Sequence, residues 1–249
     1  MYRPYEPQRR SIFTNGLSGA VMLLLAWNVI VFLLQQVIRV NVVVPTEVGS
    51  VSLNGLTYYL GLRPFAVWHD GWVWQIVTYM FLHGGFMHIL FNMLALWMVG
   101  SQLEGEWGTR EFAKYYFFTG IGAGITTALI FPNQFFPTVG ASGAIYGLLL
   151  AYGVSYPNRP ILLYFLFPIP AKFFVIIFGV IELFMGFTGT RSGIAHFAHL
   201  GGILFGLLYF WLWGFPGGRL GWLKRRRIAR RRGNFQVIDF QDRNDRDRW

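Results

Sequence analysis

Six long apolar stretches dominate this 249-residue chain, at roughly 17–38, 84–102, 114–131, 141–157, 171–188 and 194–213. Most come close to the ~20 residues that an α-helix needs to cross the hydrocarbon of a bilayer. Lipid offers the backbone no hydrogen-bond partner, so such segments must satisfy their N–H and C=O groups internally and are expected as helices. Composition agrees, with 54% hydrophobic and 13% charged residues, against about a quarter charged in ordinary soluble domains. The expected fold is an all-α membrane protein, a six-transmembrane-helix bundle. Its expected parts are an N-terminal segment (1–16), the membrane domain (17–213) and a basic, disordered tail (214–249).

The first apolar stretch is too long for the apolar region of a secretory leader, and no small-residue cleavage site follows it, so it reads as a transmembrane helix. The stretch 161–169 is apolar but interrupted by Pro168 and Pro170, and reads as an interfacial approach to the fifth span. The first outer loop, about 39–83, carries Tyr58, Tyr59, Trp68, Trp72 and Trp74. Aromatics at that density suit the bilayer interface, so the loop is expected to lie partly in the membrane.

Charge sets the orientation. The chain has a net charge of +10, much of it in Lys224 to Arg227 and Arg230 to Arg232. Such a run can be a nucleic-acid patch. Beside an apolar segment it reads instead as a cytoplasmic anchor whose partners are membrane lipids, with no nucleic acid involved. Arg3, Arg9, Arg10, Arg110, Lys114, Arg159 and Lys172 fall on the same side as this tail. Both termini are therefore expected in the cytoplasm. The chain has no cysteine, which excludes disulfides, thiolate metal sites and a Cys nucleophile.

Polar groups inside membrane spans are costly and mark function by default. His83, His88 and Asn92 stand at the start of span two, Ser142 opens span four, and His196 and His199 open span six. All three spans enter from the outer side, which sets these groups at similar depth. Gly143 and Gly147 form one GxxxG, and Gly202 and Gly206 another. Small residues at this spacing allow close helix approach, which would bring Ser142 against His199. Tyr146, one turn deeper than Ser142, is placed to pack on the His199 ring.

These residue types suit acyl transfer. Serine needs a base to take its proton, and a histidine on a facing helix can serve. Ser142 at a helix N-terminus has a free N–H for a developing oxyanion. His88 and Asn92, four residues apart, add side-chain donors, and Gly140 permits a tight entry turn. Asp70, Glu104 and Glu182 are the acidic candidates for a third member. Asp70 lies in the outer loop and Glu104 at the inner end of span two, at the wrong depth, so Glu182 in span five is the only intramembrane candidate, and the residues favour a Ser–His dyad with Glu182 structural. Zinc hydrolysis would need a third ligand and usually an HExxH pair, which the chain lacks. No span holds the two Asp of an aspartyl protease. A pore would line several spans with polar groups throughout their depth, and a scaffold would not need the serine–histidine pairing.

Three motifs resemble those of the rhomboid family of intramembrane serine proteases. HGGFMHILFN runs from His83 to Asn92, GASG from Gly140 to Gly143, and AHLGG from Ala198 to Gly202 with Gly206 beyond. Glu104, Trp107, Gly108 and Phe112 are similar to the family's glutamate-containing stretch after span two. The likeness covers about 15–213. It implies Ser142 as nucleophile, His199 as base and the Ser142 N–H, His88 and Asn92 as oxyanion donors. It also implies single-span membrane proteins as substrates, cut near the outer face, and no cofactor. One departure is Trp74-Gln75 where family members often carry Trp-Arg, a change that bears on loop anchoring. A minimal six-span core with short extensions points to a bacterial plasma membrane.

Overall fold

A computed structural model describes residues 19–216, apart from residue 39 and the stretches 47–48, 164–165 and 189–192. The expected N-terminal segment and nearly all of the basic tail lie outside the described residues. Helix α1 spans Ala20–Val37. The second rod runs from α5 (Phe86–Ala95) through a π-helical turn (Leu96–Gly100) into α6 (Ser101–Trp107). Gly108, at φ +85°, turns the chain into α7 (Thr109–Ile130). Then come α8 (Ser142–Ser155), α9 (Ala171–Thr188) and α10 (Gly193–Trp213).

Four of these helical rods are long and apolar enough to cross a membrane: Ala20–Val37, Phe86–Trp107, Ala171–Thr188 and Ile194–Trp213. Helices α7 and α8 differ for a physical reason. Both sit inside the bundle against α10 and each other, so neither needs a continuous apolar surface. At 14 residues, α8 is about 21 Å long, shorter than the ~30 Å hydrocarbon core of a bilayer.

Around α7 and α8 the core is aromatic, with Phe112, Tyr115 and Tyr116 fully buried among Leu103, Leu148 and Ala151. Two of its phenols find partners, as buried Tyr hydroxyls usually do, whereas Tyr116 Oη has none among the described residues. Tyr115 Oη donates to the Gly147 carbonyl at 2.9 Å, and Tyr79 Oη to that of Gly120 at 2.7 Å. Glu104 on α6 caps α1, its carboxylate accepting from Ala20 N at 2.6 Å and Val21 N at 3.0 Å. An acidic group there satisfies orphan N–H donors and complements the positive helix end.

Of the four motif glycines, Gly202 brings the backbone of α10 closest to that of α8. A Cβ on Gly202 would stand 1.9 Å from the Gly143 carbonyl oxygen. Gly143 and Gly147 instead fit α7, where a Cβ would meet Ala123 and Thr119 at 2.5 and 2.6 Å. Gly206 accommodates Tyr115 and Leu150. The small residues of α8 thus serve two neighbours, because α8 is enclosed rather than paired.

The loop of about 39–83, expected on the outer side, forms a hairpin, β1 (Asn41–Thr46) with β2 (Gly49–Asn54), followed by α2 (Gly55–Leu60), α3 (Pro64–His69) and α4 (Gln75–Thr78). The stretch read as an interfacial approach to span five forms a hairpin, β3 (Pro160–Leu163) with β4 (Phe167–Pro170). Its three prolines, Pro160, Pro168 and Pro170, fit a two-stranded sheet, where no second ladder needs their missing N–H.

Candidate active site

The N-terminal end of α8 meets the first turns of α5 and α10. The entry to α8 is built by Gly140, at φ +126°, a region that L side chains rarely adopt. Its N–H donates to the Tyr79 carbonyl at 2.9 Å. A Cβ there would also lie 2.8 Å from His88 Nε2. Two constraints therefore require glycine two residues before Ser142. Upstream, Leu62 and Thr138 pair through reciprocal backbone hydrogen bonds of 2.9 and 2.8 Å, tying this entry segment to the first outer loop.

Ser142 Oγ lies 2.8 Å from His199 Nε2. Tyr146, one turn below Ser142, stacks on the His199 ring. His88 Nδ1 accepts from the Gly84 N–H at 3.3 Å. That bond assigns the neutral ring its proton on Nε2, the nitrogen turned toward Gly140. The Asn92 amide approaches the same corner, 3.7 Å from where a Gly140 Cβ would sit. Asn92 Nδ2 is buried and has no hydrogen-bond partner among the described residues.

Two residues of the implied set stand apart from the Ser142–His199 pair. His83 packs edge-on against His88, with centroids 5.2 Å apart. Burial, together with the neighbouring His88, pulls the His83 pKa down to about 4. Glu104 is at the far end of its rod, capping α1.

Other residues proved more involved than their sequence suggested. Gln35 on α1 brackets the His83 backbone, accepting from its N–H at 3.1 Å and donating to its carbonyl at 3.4 Å. Its signal was available, since a glutamine inside an apolar span calls for a partner. Glu182 on α9 is the second. Its carboxylate receives the Tyr146 hydroxyl and contacts His196 Nδ1 at 2.5 Å. His199 Nδ1 lies 3.0 Å away, off the line of an ideal hydrogen bond, and has no better aligned partner among the described residues.

Glu182, His196 and His199 could also hold a metal ion, since their ligand atoms lie within 4.8 Å of one another. This supplies the third ligand that the sequence did not place. The 2.5 Å contact between His196 Nδ1 and a Glu182 oxygen is nevertheless a hydrogen-bond distance. Two ligands on a tetrahedral zinc with bonds of about 2 Å stand about 3.3 Å apart.

Residues 70–214 match the Rhomboid domain family. The chain belongs to the rhomboid family. Rhomboid protease GluP of Bacillus subtilis is 32% identical over 206 residues, 81% of this chain and 36% of that protein. Rhomboid protein 1, mitochondrial, of Saccharomyces cerevisiae is 34% identical over 143 residues, 55% of this chain and 41% of that protein. Rhomboid-like protein 11, chloroplastic, of Arabidopsis thaliana is 32% identical over 171 residues, 61% and 57% of the two chains. This chain thus spans a third to somewhat over half of the length of these relatives. Rhomboids are in general intramembrane proteases, and their HxxxxHxxxN, GxSG and AHxxGxxxG motifs fall in this chain on the residues gathered at the α5–α8–α10 corner.

The rhomboid motifs do not extend to the departure at Gln75. That side chain is fully buried. Its Oε1 accepts from Arg63 N at 2.9 Å, and its Nε2 donates to the carbonyls of Tyr58 and Tyr59 at 3.4 and 3.2 Å. The neutral amide therefore anchors the outer loop. The nearby cation is Arg63, whose guanidinium lies 4.0 Å from the Tyr58 ring centroid and donates through Nε to the Phe135 carbonyl.

Proposed function

We propose that this chain is an intramembrane serine endopeptidase, with Ser142 as nucleophile and His199 as general base. The observation that carries this reading is the 2.8 Å contact between Ser142 Oγ and His199 Nε2, within the reach that nucleophile activation requires. As Oγ bonds to the scissile carbonyl carbon, its proton passes to His199 Nε2. The carbonyl oxygen becomes an oxyanion facing the free Ser142 N–H, His88 Nε2–H and Asn92 Nδ2. Collapse breaks the C–N bond, and the His199 proton goes to the leaving amine. Water, with His199 again as base, then hydrolyses the acyl-enzyme. The inferred Nε2 proton of His88 and the unpaired Asn92 amide support the oxyanion assignment, since donors of this kind contribute most when already oriented.

In this reading six helices span the membrane, with both termini cytoplasmic, and the protein resides in a bacterial plasma membrane. The shortness of α8 supports a nucleophile set below the outer surface. The substrates are single-span membrane proteins, cut near the outer face at small residues beside helix-weakening sequence. No cofactor enters the scheme.

The deciding test is cleavage of a labelled single-span reporter by the purified protein in liposomes. Wild type is expected to give a defined product and Ser142→Ala none. Asn92→Ala should lose about 10²–10³ in kcat, as removal of one oxyanion donor does. Unchanged cleavage by folded Ser142→Ala overturns the assignment.

A further inference from the structure

Glu182 sits oddly on its helix. Ala171 and Glu182 are the buried residues of α9, and the rest of the helix is largely exposed along Phe173, Ile176, Ile177, Val180, Ile181 and Phe184. A helix with that surface belongs in lipid, where an inward carboxylate is costly unless several donors satisfy it. Glu182 receives two hydrogen bonds, from the Tyr146 hydroxyl on α8 and from His196 Nδ1 on α10, and His199 Nδ1 stands 3.0 Å from its Oε1.

We propose that Glu182 is a positioning residue for His199, making the site a Ser142–His199–Glu182 chain rather than a dyad. The inference rests on the protease reading above. His199 faces Ser142 Oγ through Nε2 and Glu182 Oε1 through Nδ1. To accept the serine proton, Nε2 must be bare, so the neutral ring must carry its proton on Nδ1. A carboxylate 3.0 Å from Nδ1 selects that tautomer. When Ser142 is deprotonated, the imidazole becomes an imidazolium, and the same carboxylate stabilises it without taking the proton. The proton leaves Oγ, rests on Nε2 and departs with the amine, while Glu182 keeps its charge throughout.

The carboxylate is itself held. Tyr146 stacks on His199 and donates to Oε1 of Glu182, so one side chain fixes both partners. His196, one turn before His199, occupies Oε2. With both oxygens engaged, Glu182 presents a fixed edge to Nδ1. The ionisable groups facing His199 are then Glu182 on α9, Tyr146 on α8, His196 on its own helix and His88 on α5.

Two measurements test this. The first uses the unaltered protein with ¹⁵N-labelled histidine in detergent or bicelles, the His199 signals being assigned by their loss in His199→Gln. NMR is expected to find the neutral His199 ring protonated on Nδ1, with that proton shifted downfield. An Nε2–H tautomer in the unaltered protein overturns the proposal. The second compares Glu182→Gln, isosteric but uncharged, with Glu182→Asp, shorter but charged. Glu182→Gln should lose about 10²–10⁴ in kcat, with KM within a few-fold, and Glu182→Asp should recover at least tenfold of that loss. A purely structural role predicts the reverse order, with the isostere more active, and that order sinks the proposal. The protease reading fails separately, if wild type and Ser142→Ala cleave the reporter alike.

Discussion

Tyr146 lies flat on His199, their ring centroids 4.3 Å apart and their planes 10° from parallel. The contact fixes the plane of an imidazole whose Nε2 must aim at Ser142 Oγ. Tyr146→Ala should therefore reduce kcat by about 10–100-fold, because a small misplacement of a reacting group is amplified in rate. Tyr146→Phe keeps the stack, loses only the hydroxyl on Glu182, and should retain more activity than Tyr146→Ala. Steady-state kinetics on the reporter distinguish the two. Full activity in folded Tyr146→Ala would remove the stack from the mechanism.

Gly202→Val should separate α8 from α10 and abolish activity. Its new Cβ would overlap the Gly143 carbonyl oxygen, a backbone atom that cannot swing aside. Overpacking typically costs about 1–3 kcal/mol, and a backbone clash belongs at or above the top of that range. Gly105→Ala is the control, since nothing lies within 4 Å of its Cβ position. It should leave the thermal midpoint unchanged or slightly raised. Equal midpoints for the two variants would contradict the packing described.

Gln75→Ala should destabilise the outer loop by about 1–3 kcal/mol, because buried Arg63 N and two carbonyls lose their partner. The readout is a lower thermal midpoint, with kcat per folded molecule close to wild type. A kcat loss without any change in midpoint would mean that Gln75 acts on the site rather than on the loop.

His83 predicts an acid sensitivity of the fold. The unfolded histidine takes its proton near its ordinary value of 6.5, whereas the buried one resists until about 4. In that window the unfolded state binds more protons, so stability falls as the pH drops from 6.5 toward 4, by up to about 3 kcal/mol. His83→Phe cannot titrate and should flatten this part of the curve. Unfolding midpoints measured from pH 7 to pH 4 check it, and identical slopes would clear His83 of the effect.

The sequence makes the helices readable to within a few residues, because span length and polarity are dictated by lipid. Span three is the largest difference at its start, where Gly108 lets α7 begin at Thr109 through charged Arg110, Glu111 and Lys114. Its charges hide it from hydropathy, but the bundle interior does not require lipid-facing residues there. The meeting of Ser142 with His199 follows from helix ends and one close approach, at Gly202. The partners of Gly143 and Gly147 do not, since spacing identifies a small face without saying which helix covers it. The surroundings of Glu182 are hidden for a related reason: periodicity places it on α9, but only the rotation of α9 in the bundle brings it beside His199. Gln75 read as a lost cation, while its amide supplies the three loop contacts by itself.

The π turn at Leu96–Gly100 carries a consequence for insertions and deletions. Such a turn holds one residue more than an α-helix would over the same length. Removing one residue there would therefore restore a regular α-helix and leave the length of the rod and the phase of its two halves nearly unchanged. Asn92, before the turn, would keep its place near Gly140, and Glu104, after it, its place on the α1 N-terminus. A single-codon deletion within Leu96–Gly100 is therefore expected to be mild. The same deletion in the regular turns of α5 or α6 would rotate everything beyond it by about 100° and uncouple the two ends of the rod.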